Sequence, residues 1–579
     1  MRDHHAYKSV ISRSKIALSA VPYGGLWLTV LLLVAAPIGL LALASFKGTP
    51  DALPLEPGPL TFANYKRAFG DPQTTEVILN TLALGVSSVA IALTIAVTMA
   101  WITERTNAPL RGLIYICMIL PIGIPGMLLA IAWVFLFNPQ NGIINLILRD
   151  LFNLEGLGPI NIYNLAGVCV LQGISMVSSS FLMMSGAFRQ MDPTLEDAAL
   201  ACGATWRQIA FRITLPLMFP AILAAAIYFF VFAIEAFEIP GIVGLSGGIS
   251  VLSSRIYWAT HPSGGLPEYG YVAALGTPLI FASISLMYLY SRVTRASERF
   301  TTVTPRGYRP RLIELGRMRW VPTIMALLYL TVTIVLPLGV LFWGTLFPYW
   351  TNPSISAISN ISFDAYRGTI NYPGVTRALL NTALVTIVAA TATMLLAGML
   401  SWIIIRTRWK GRRLLDVLAF LPHSIPGIVI GLALIFTYLT VPIPIYGTVW
   451  IIIIACVTKF LAYASRTMNA AQIQISNELE EAATTSGASI PRVLWTIVLP
   501  LLAISFRNGW LWVAMHAARE LSASVMLYSP GSIVLSTILW SMWQNGKLSE
   551  TCVVGVILVL ITMTLGTVGG LFGQRRTLG

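Results

Sequence analysis

Residues 477–500 read N-E-L-E-E-A-A-T-T-S-G-A-S-I-P-R-V-L-W-T-I-V-L-P, a polar island between two strongly apolar segments. A twin at residues 192–216 reads D-P-T-L-E-D-A-A-L-A-C-G-A-T-W-R-Q-I-A-F-R-I-T-L-P. Each carries an acid, Ala-Ala, three residues, Gly, nine residues and then Ile-x-Leu-Pro. Asp197 and Glu481 stand 284 positions apart, as do Gly203 and Gly487, and Pro216 and Pro500. Agreement at so many set offsets marks an internal repeat rather than two unrelated loops of small residues.

The chemistry of the islands predicts two short helices meeting at a sharp turn. Asn477 with Glu480 three residues on, and Asp192 followed by Pro193, suit helix N-termini. Acids in the first turn favour the positive end of the helix dipole. Gly203 and Gly487 can take the positive φ that ends a helix, and Thr205 and Ser489 can cap the next one. Ala198-Ala199 and Ala482-Ala483 present little bulk, so another surface can approach closely.

The chain has 579 residues, of which 56% are hydrophobic and only 10% charged. Soluble chains carry about a quarter charged residues, so the composition belongs to a polytopic membrane protein. Its net charge of +14 fits positively charged inner loops rather than nucleic-acid binding. The five cysteines are scattered without paired spacing, which argues against a disulfide framework and a cysteine metal site. No phosphate-binding G-x-x-x-x-G-K-[ST] loop occurs.

Apolar runs near residues 23–46, 77–102, 113–137, 164–188, 215–239 and 269–290 are followed by a stretch, 292–319, holding eight Arg. Six more lie near 321–346, 378–405, 414–439, 449–465, 497–522 and 552–572. The first is too long for a signal-peptide core and reads as an uncleaved span. The fold predicted is all-α, with about twelve transmembrane helices. With the N-terminus in the cytoplasm, Lys and Arg collect on the cytoplasmic side, which also holds both islands and both termini.

The repeat extends beyond the islands. Leu79-Asn80-Thr81 matches Leu380-Asn381-Thr382, Trp101 matches Trp402, and Leu120-Pro121-x-x-Ile124-Pro125-Gly126 matches Leu421-Pro422-x-x-Ile425-Pro426-Gly427, all 301 positions apart. The later offset of 284 means that the second half has lost 17 residues, most simply from the outer loop after Phe137. Six spans per half give two parallel repeats related by a pseudo-two-fold axis along the membrane normal. The domain reading is a basic tail (1–22), a first domain (23–291), a basic linker (292–319), a second domain (320–573) and a tail (574–579). The paired prolines predict kinks in the third and ninth spans.

Charges within apolar runs cost roughly 2.5 kcal/mol or more at mid-bilayer and face the bundle interior. Glu235 and Glu238 fall near the end of the fifth span, and Arg507, His516, Arg519 and Glu520 in or near the eleventh. Two readings stay open. Glu235, Glu238, His516, Arg519 and Glu520 line a solute pathway or gate, or the charges form ion pairs, such as Arg519 with a Glu, that lock the halves together.

The acid-Ala-Ala-x3-Gly-x9-Ile-x-Leu-Pro islands resemble the EAA loops of type I ABC import permeases, and the whole chain resembles two such permease domains fused. The second island matches the family pattern throughout; the first has Asp197 where Glu is usual, beside Glu196. The resemblance implies coupling to an ATPase through Glu196, Asp197, Ala198, Ala199, Gly203 and Pro216, and through Glu480, Glu481, Ala482, Ala483, Gly487 and Pro500. It implies two copies of a cytoplasmic ABC ATPase subunit carrying ATP and Mg, a periplasmic solute-binding protein and a bacterial inner-membrane location. The chain itself is expected to have no catalytic residue, resident metal or cofactor, and no nucleic-acid partner. Arg519-Glu520-Leu521-Ser522-Ala523-Ser524 with Leu527-Tyr528-Ser529-Pro530-Gly531, and Phe237-Glu238-Ile239-Pro240, resemble ferric iron permeases most. Thiamine, 2-aminoethylphosphonate and polyamine permeases look broadly alike. An ion-coupled secondary transporter could share twelve spans and parallel halves but gives the islands no role. A membrane enzyme would need a polar catalytic cluster on adjacent spans, and no suitable spacing occurs.

Overall fold

A lipid environment offers the backbone no hydrogen-bond partner, so apolar runs of this length fold as helices that satisfy themselves internally. The computed structural model describes residues 20–48, 53–192, 194–262, 267–297, 312–407, 409, 411–441 and 443–574. Most of the N-terminal basic tail, the centre of the basic linker and the last five residues lie outside this range. Among the described residues no strand forms beyond two isolated bridges.

The first repeat supplies α1 (Gly24–Ser45), α2 (Pro72–Arg105), α3 (Arg111–Gly123), α4 (Gly126–Phe137), α5 (Leu165–Gln190), α6 (Thr194–Ala201), α7 (Trp206–Ile234), α8 (Leu252–Thr260) and α9 (Tyr269–Thr294). The second supplies α10 (Gly316–Gly344), α11 (Val375–Arg406), α12 (Arg412–Ser424), α13 (Gly427–Thr440), α14 (Val449–Ile473), α15 (Asn477–Thr485), α16 (Thr496–Ala518), α17 (Leu535–Gln544) and α18 (Leu548–Thr567). Ten of these are long and apolar enough to cross a membrane, and α3 with α4 and α12 with α13 form two bent pairs. The bends are 98° and 113°, far sharper than a proline kink within a continuous helix. Each falls at the second proline of a pair, where Pro125 and Pro426 adopt extended ψ and the next helix starts afresh.

A membrane surface is visible on α11. Leu380, Leu384, Ile387, Leu395 and Met399 are exposed along one stripe, while Ala389, Ala390, Met394, Ala397 and Leu400 are buried on the other. A helix apolar on both faces suits lipid on one side and protein on the other.

Contacts divide the chain into two compact units. One combines α1 with Arg377–Val534, and the other combines Ala63–Thr376 with Leu535–Thr564. In the former, α1 packs on α13, and Thr458 Oγ1 donates to Leu33 O over 3.4 Å. In the latter, α10 packs on α3 and α4, with Thr323 Oγ1 donating to Pro109 O over 2.9 Å. The opening span of each sequence repeat thus packs with the later spans of the other repeat.

Within each unit the repeat reappears as the same devices. Asn80 Nδ2 donates to Ser250 O over 3.3 Å, and Asn381 Nδ2 to Ile533 O over 2.8 Å. The motif Ile-x-Leu-Pro also acquires a local cause. Residues 210–214 and 494–498 form π turns immediately ahead of Leu-Pro. Proline has no N–H and its ring crowds the carbonyl four residues back, and a widened turn relieves that crowding. Leu215 N–H accordingly bonds Ala210 O rather than the carbonyl four residues back.

Candidate functional site: two braced polar islands

The first island is built as the sequence predicts up to its turn. Asp192 Oδ1 accepts from Thr194 N–H at 2.9 Å, which starts α6. Gly203 ends it with φ +83°, and Ala204 N–H reaches back to Ala199 O at 3.0 Å, a Schellman closure. Thr205 then forms a capping box with Gln208. In the second island Gly487 has φ +88° and Ala488 N–H bonds Ala483 O at 3.0 Å. The segment beyond Gly203 differs from the expected second short helix. Trp206–Ile234 runs on as one 29-residue helix through the π turn. The part of the island from Trp206 onward is therefore continuous with the fifth span, and α6 joins that span through the turn at Gly203.

The two acids of each island part company. Glu196 turns inward and is buried, whereas Asp197 is half-buried, and Leu195 and Ala198 are exposed. Glu196 Oε2 lies 3.3 Å from Arg105 Nε, and Thr214 Oγ1 donates to Glu196 Oε1. Arg105 Nη2 donates to Phe188 O at 2.9 Å and to Met191 O at 2.8 Å. Those carbonyls belong to the last turn of α5, where a helix runs out of its own donors. One guanidinium thus ties together the end of α2, the end of α5 and the island. Burial pushes the Glu196 carboxyl above the ordinary glutamate range, opposed by Thr214 and Arg105.

The second island repeats the clamp at matching positions. Arg406 Nε lies 3.0 Å from Glu480 Oε1, and Arg406 Nη2 donates to Gln472 O at 3.0 Å and Ile475 O at 2.7 Å. Glu481 and Ala482 are exposed, as is Leu479. Arg105 and Arg406 are 301 positions apart, the offset of the early repeat, yet sequence reading counted them only as inner-loop charges. Their shared offset, each at the end of a long apolar run, was the available signal.

The intramembrane charges resolve into separate devices. Glu238 Oε2 accepts from Met127 N–H at 2.8 Å, so it meets the N-terminus of α4 just past the first break. Glu235 is half-buried at the C-cap of α7. Past the second break, Glu520 Oε1 lies 2.7 Å from Lys459 Nζ, and its carboxylate also accepts from Ala523 N–H and from the N–H and hydroxyl of Ser524. A Cβ on Gly427, the first residue of α13, would stand 3.4 Å from Glu520 Oε1. Each half therefore sets a carboxylate at the positive end of the helix that restarts after the break. Lys459 went unnoticed in the sequence, although a lysine inside the apolar run 449–465 was a readable signal. His516 Nδ1 faces Trp512 O at 2.9 Å and its Nε2 faces Arg519 Nη2 at 3.0 Å. A carbonyl needs a donor and a guanidinium an acceptor, so the ring is the neutral Nδ1–H tautomer. Among the described residues no group of three or more His, Cys, Asp or Glu is placed to hold a metal ion.

The chain matches the model of the binding-protein-dependent transport system inner membrane component twice, over residues 92–299 and 394–575. A ferric transport system permease protein of Actinobacillus pleuropneumoniae is 25% identical over 504 residues, covering 86% of this chain and 71% of that one. A putative 2-aminoethylphosphonate transport system permease protein of Salmonella typhimurium is 27% identical over 156 residues, 27% of this chain and 59% of that one. Among solved structures, a bacterial alginate ABC transporter in complex with an alginate-pentasaccharide-bound periplasmic protein aligns over 51% of this chain with a TM-score of 0.40 and 19% identity. The two matched segments together span more than half of the residues, one on each island-bearing repeat, and the chain belongs to the family of binding-protein-dependent transport system inner membrane components.

Proposed function

We infer that this chain is the membrane permease of an ABC importer and that ferric iron is the solute it carries. The observation that carries the permease reading is the pair of islands, each clamped to two spans by one arginine and each running, beyond its glycine turn, into a third. Such an element suits a cytoplasmic partner that pushes on it. The exposed Leu195 and Ala198 with the half-buried Asp197 in one island, and the exposed Leu479, Glu481 and Ala482 in the other, are the docking surfaces for two ATPase subunits. ATP and Mg belong to those subunits, and this chain hydrolyses nothing. A periplasmic binding protein delivers the solute to the opposite face of the bacterial inner membrane, with both termini of the chain in the cytoplasm. ATP binding draws the motors together and the spans rock between outward and inward access; hydrolysis resets them. Glu238 and Glu520, each beside a broken span, are placed to respond to that rocking.

The iron assignment rests on similarity to the ferric transport permease and on the segments around Glu238 and Glu520. Iron is cargo in this reading and passes without a preformed protein cage.

Purification of the complex, followed by uptake into vesicles supplied with binding protein and ferric ion, tests both levels. ATP-dependent ferric uptake is expected. Uptake of thiamine, 2-aminoethylphosphonate or a polyamine instead would keep the permease and replace the solute. Transport driven by an ion gradient without any ATPase would overturn the permease reading.

A further inference from the structure

The two islands share a plan but are not braced equally. Side-chain exposure at the first clamp is 4% for Arg105 and 5% for Glu196, against 10% for Arg406 and 20% for Glu480. Charge pairs shielded from water are screened less and hold more firmly. Glu196 has a further donor in the Thr214 hydroxyl. The matching position 284 residues on is Val498, which has no hydroxyl to offer. The first clamp is also anchored through its main chain. Ile313, in the stretch that joins the two repeats, donates its N–H to Arg105 O at 3.0 Å, and Asn107 N–H returns a bond to Ile313 O at 3.1 Å.

We propose that Arg105 and Arg406 are positioning residues that lock each island onto the ends of the second and fourth spans of its repeat, and that the first island is the stiffer of the two. The role in transport rests on the islands being the ATPase-docking elements of an importer permease. A planar guanidinium suits the task because one side chain can face a carboxylate and two helix-end carbonyls at once, which a lysine ammonium cannot do in one rigid geometry. A stiffly held island converts displacement of a docked motor into displacement of the spans. A loosely held one absorbs part of that displacement locally. The two motors therefore act on the spans through unequal linkages, with the first half transmitting more of each stroke.

Hydrogen exchange on the full chain in lipid nanodiscs tests the bracing. Amides of Thr194–Ala201 should exchange on the order of tenfold more slowly than those of Asn477–Thr485, the effect expected of one additional hydrogen bond to a charged group. R105Q should remove that difference, and R406Q should speed the second island further. T214V, which deletes one hydroxyl, should bring the first island towards the rate of the second; it also covers the case in which R105Q fails to fold. Equal rates in the two islands of the parent chain would overturn the asymmetry, and so would an unaltered first island in T214V.

The positioning role is read from ATP consumed per ferric ion moved, measured in proteoliposomes with the ATPase bound and ferric-loaded binding protein supplied. R105Q should raise that ratio severalfold with the ATPase still attached. A merely structural defect would lower hydrolysis and uptake together and leave the ratio unchanged. An unchanged ratio with ATPase bound overturns the positioning role alone, whereas the absence of any bound ATPase overturns the function on which that role depends.

Discussion

Lys459 Nζ lies 2.7 Å from Glu520 Oε1, and Gly427, the first residue of the helix restarting after the second break, approaches both groups. A charge pair in an apolar setting is tolerated when each member has its partner, and it becomes costly when one is removed. Glu520 is almost wholly enclosed, so K459M leaves its carboxylate with backbone and hydroxyl donors but without its ammonium partner. We expect K459M to destabilise the chain by about 3 kcal/mol, read as a lowered melting temperature in detergent. Adding E520Q should recover much of the loss, because a neutral amide still accepts from Ser524. No recovery in the double variant would mean that the pairing is not what stabilises this corner.

The two breaks answer differently to the same substitution. A Cβ at Gly126 would lie 2.7 Å from Glu238 Oε2, the movable tip of a long side chain. At Gly427 it would meet Lys459 Nζ and Ser522 Cβ, both at 2.8 Å, and a Cβ can retreat only with its backbone. G427A should therefore cost more than G126A, by about 1–3 kcal/mol as overpacking typically does. Thermal melting of the two variants side by side decides the order, and the reverse order would contradict the packing described.

Gly203 and Gly487 are required for their backbone alone. Among the described residues, no heavy atom beyond the adjoining residues lies within 4 Å of a Cβ built at either position, yet φ is +83° and +88°. A β-branched residue in this region costs at least about 1–2 kcal/mol in strain. G203V and G487V should distort the turn that joins α6 or α15 to its span and lower uptake per ATP, whereas G203N, which tolerates positive φ, should be milder. Normal uptake in both valine variants would remove the turn from the coupling route.

His261, just beyond α8, supplies a pH dependence. Burial lowers its pKa below the ordinary histidine value, and the bond between its Nδ1 and Tyr257 O only partly opposes this. The folded chain therefore prefers the neutral ring. That contribution is present above the unfolded value of about 6.5, and it is lost as pH falls through the lower folded value. The parent chain should lose more melting temperature than H261Q between about pH 7 and pH 5. Parallel pH profiles for the two proteins would show that the ring does not titrate on unfolding.

Much of the architecture was legible because its causes are local. Apolar runs, paired prolines, Asp192 as a helix start and Gly203 as a helix stop each act within a few residues, and a second copy 284 or 301 positions away made each reading firmer. The repeat and the composition alone determined a twice-built helical membrane protein with two polar islands. The prolines of the third and ninth spans announced a disturbance, but its size, 98° and 113°, is seen only in the folded chain.

Tertiary structure decided which charges work together and which spans share a core. Arg105 reaches Phe188 and Glu196, and Lys459 reaches Glu520, across intervals longer than any helical period. Sequence spacing cannot register such meetings, because they depend on which faces of separate helices come into contact. The same reason hid the inward turn of Glu196 beside the more open Asp197, and the packing of each opening span with the later spans of the other repeat. Periodicity states that a helix has an apolar face; only the folded chain chooses the helix against which that face is buried.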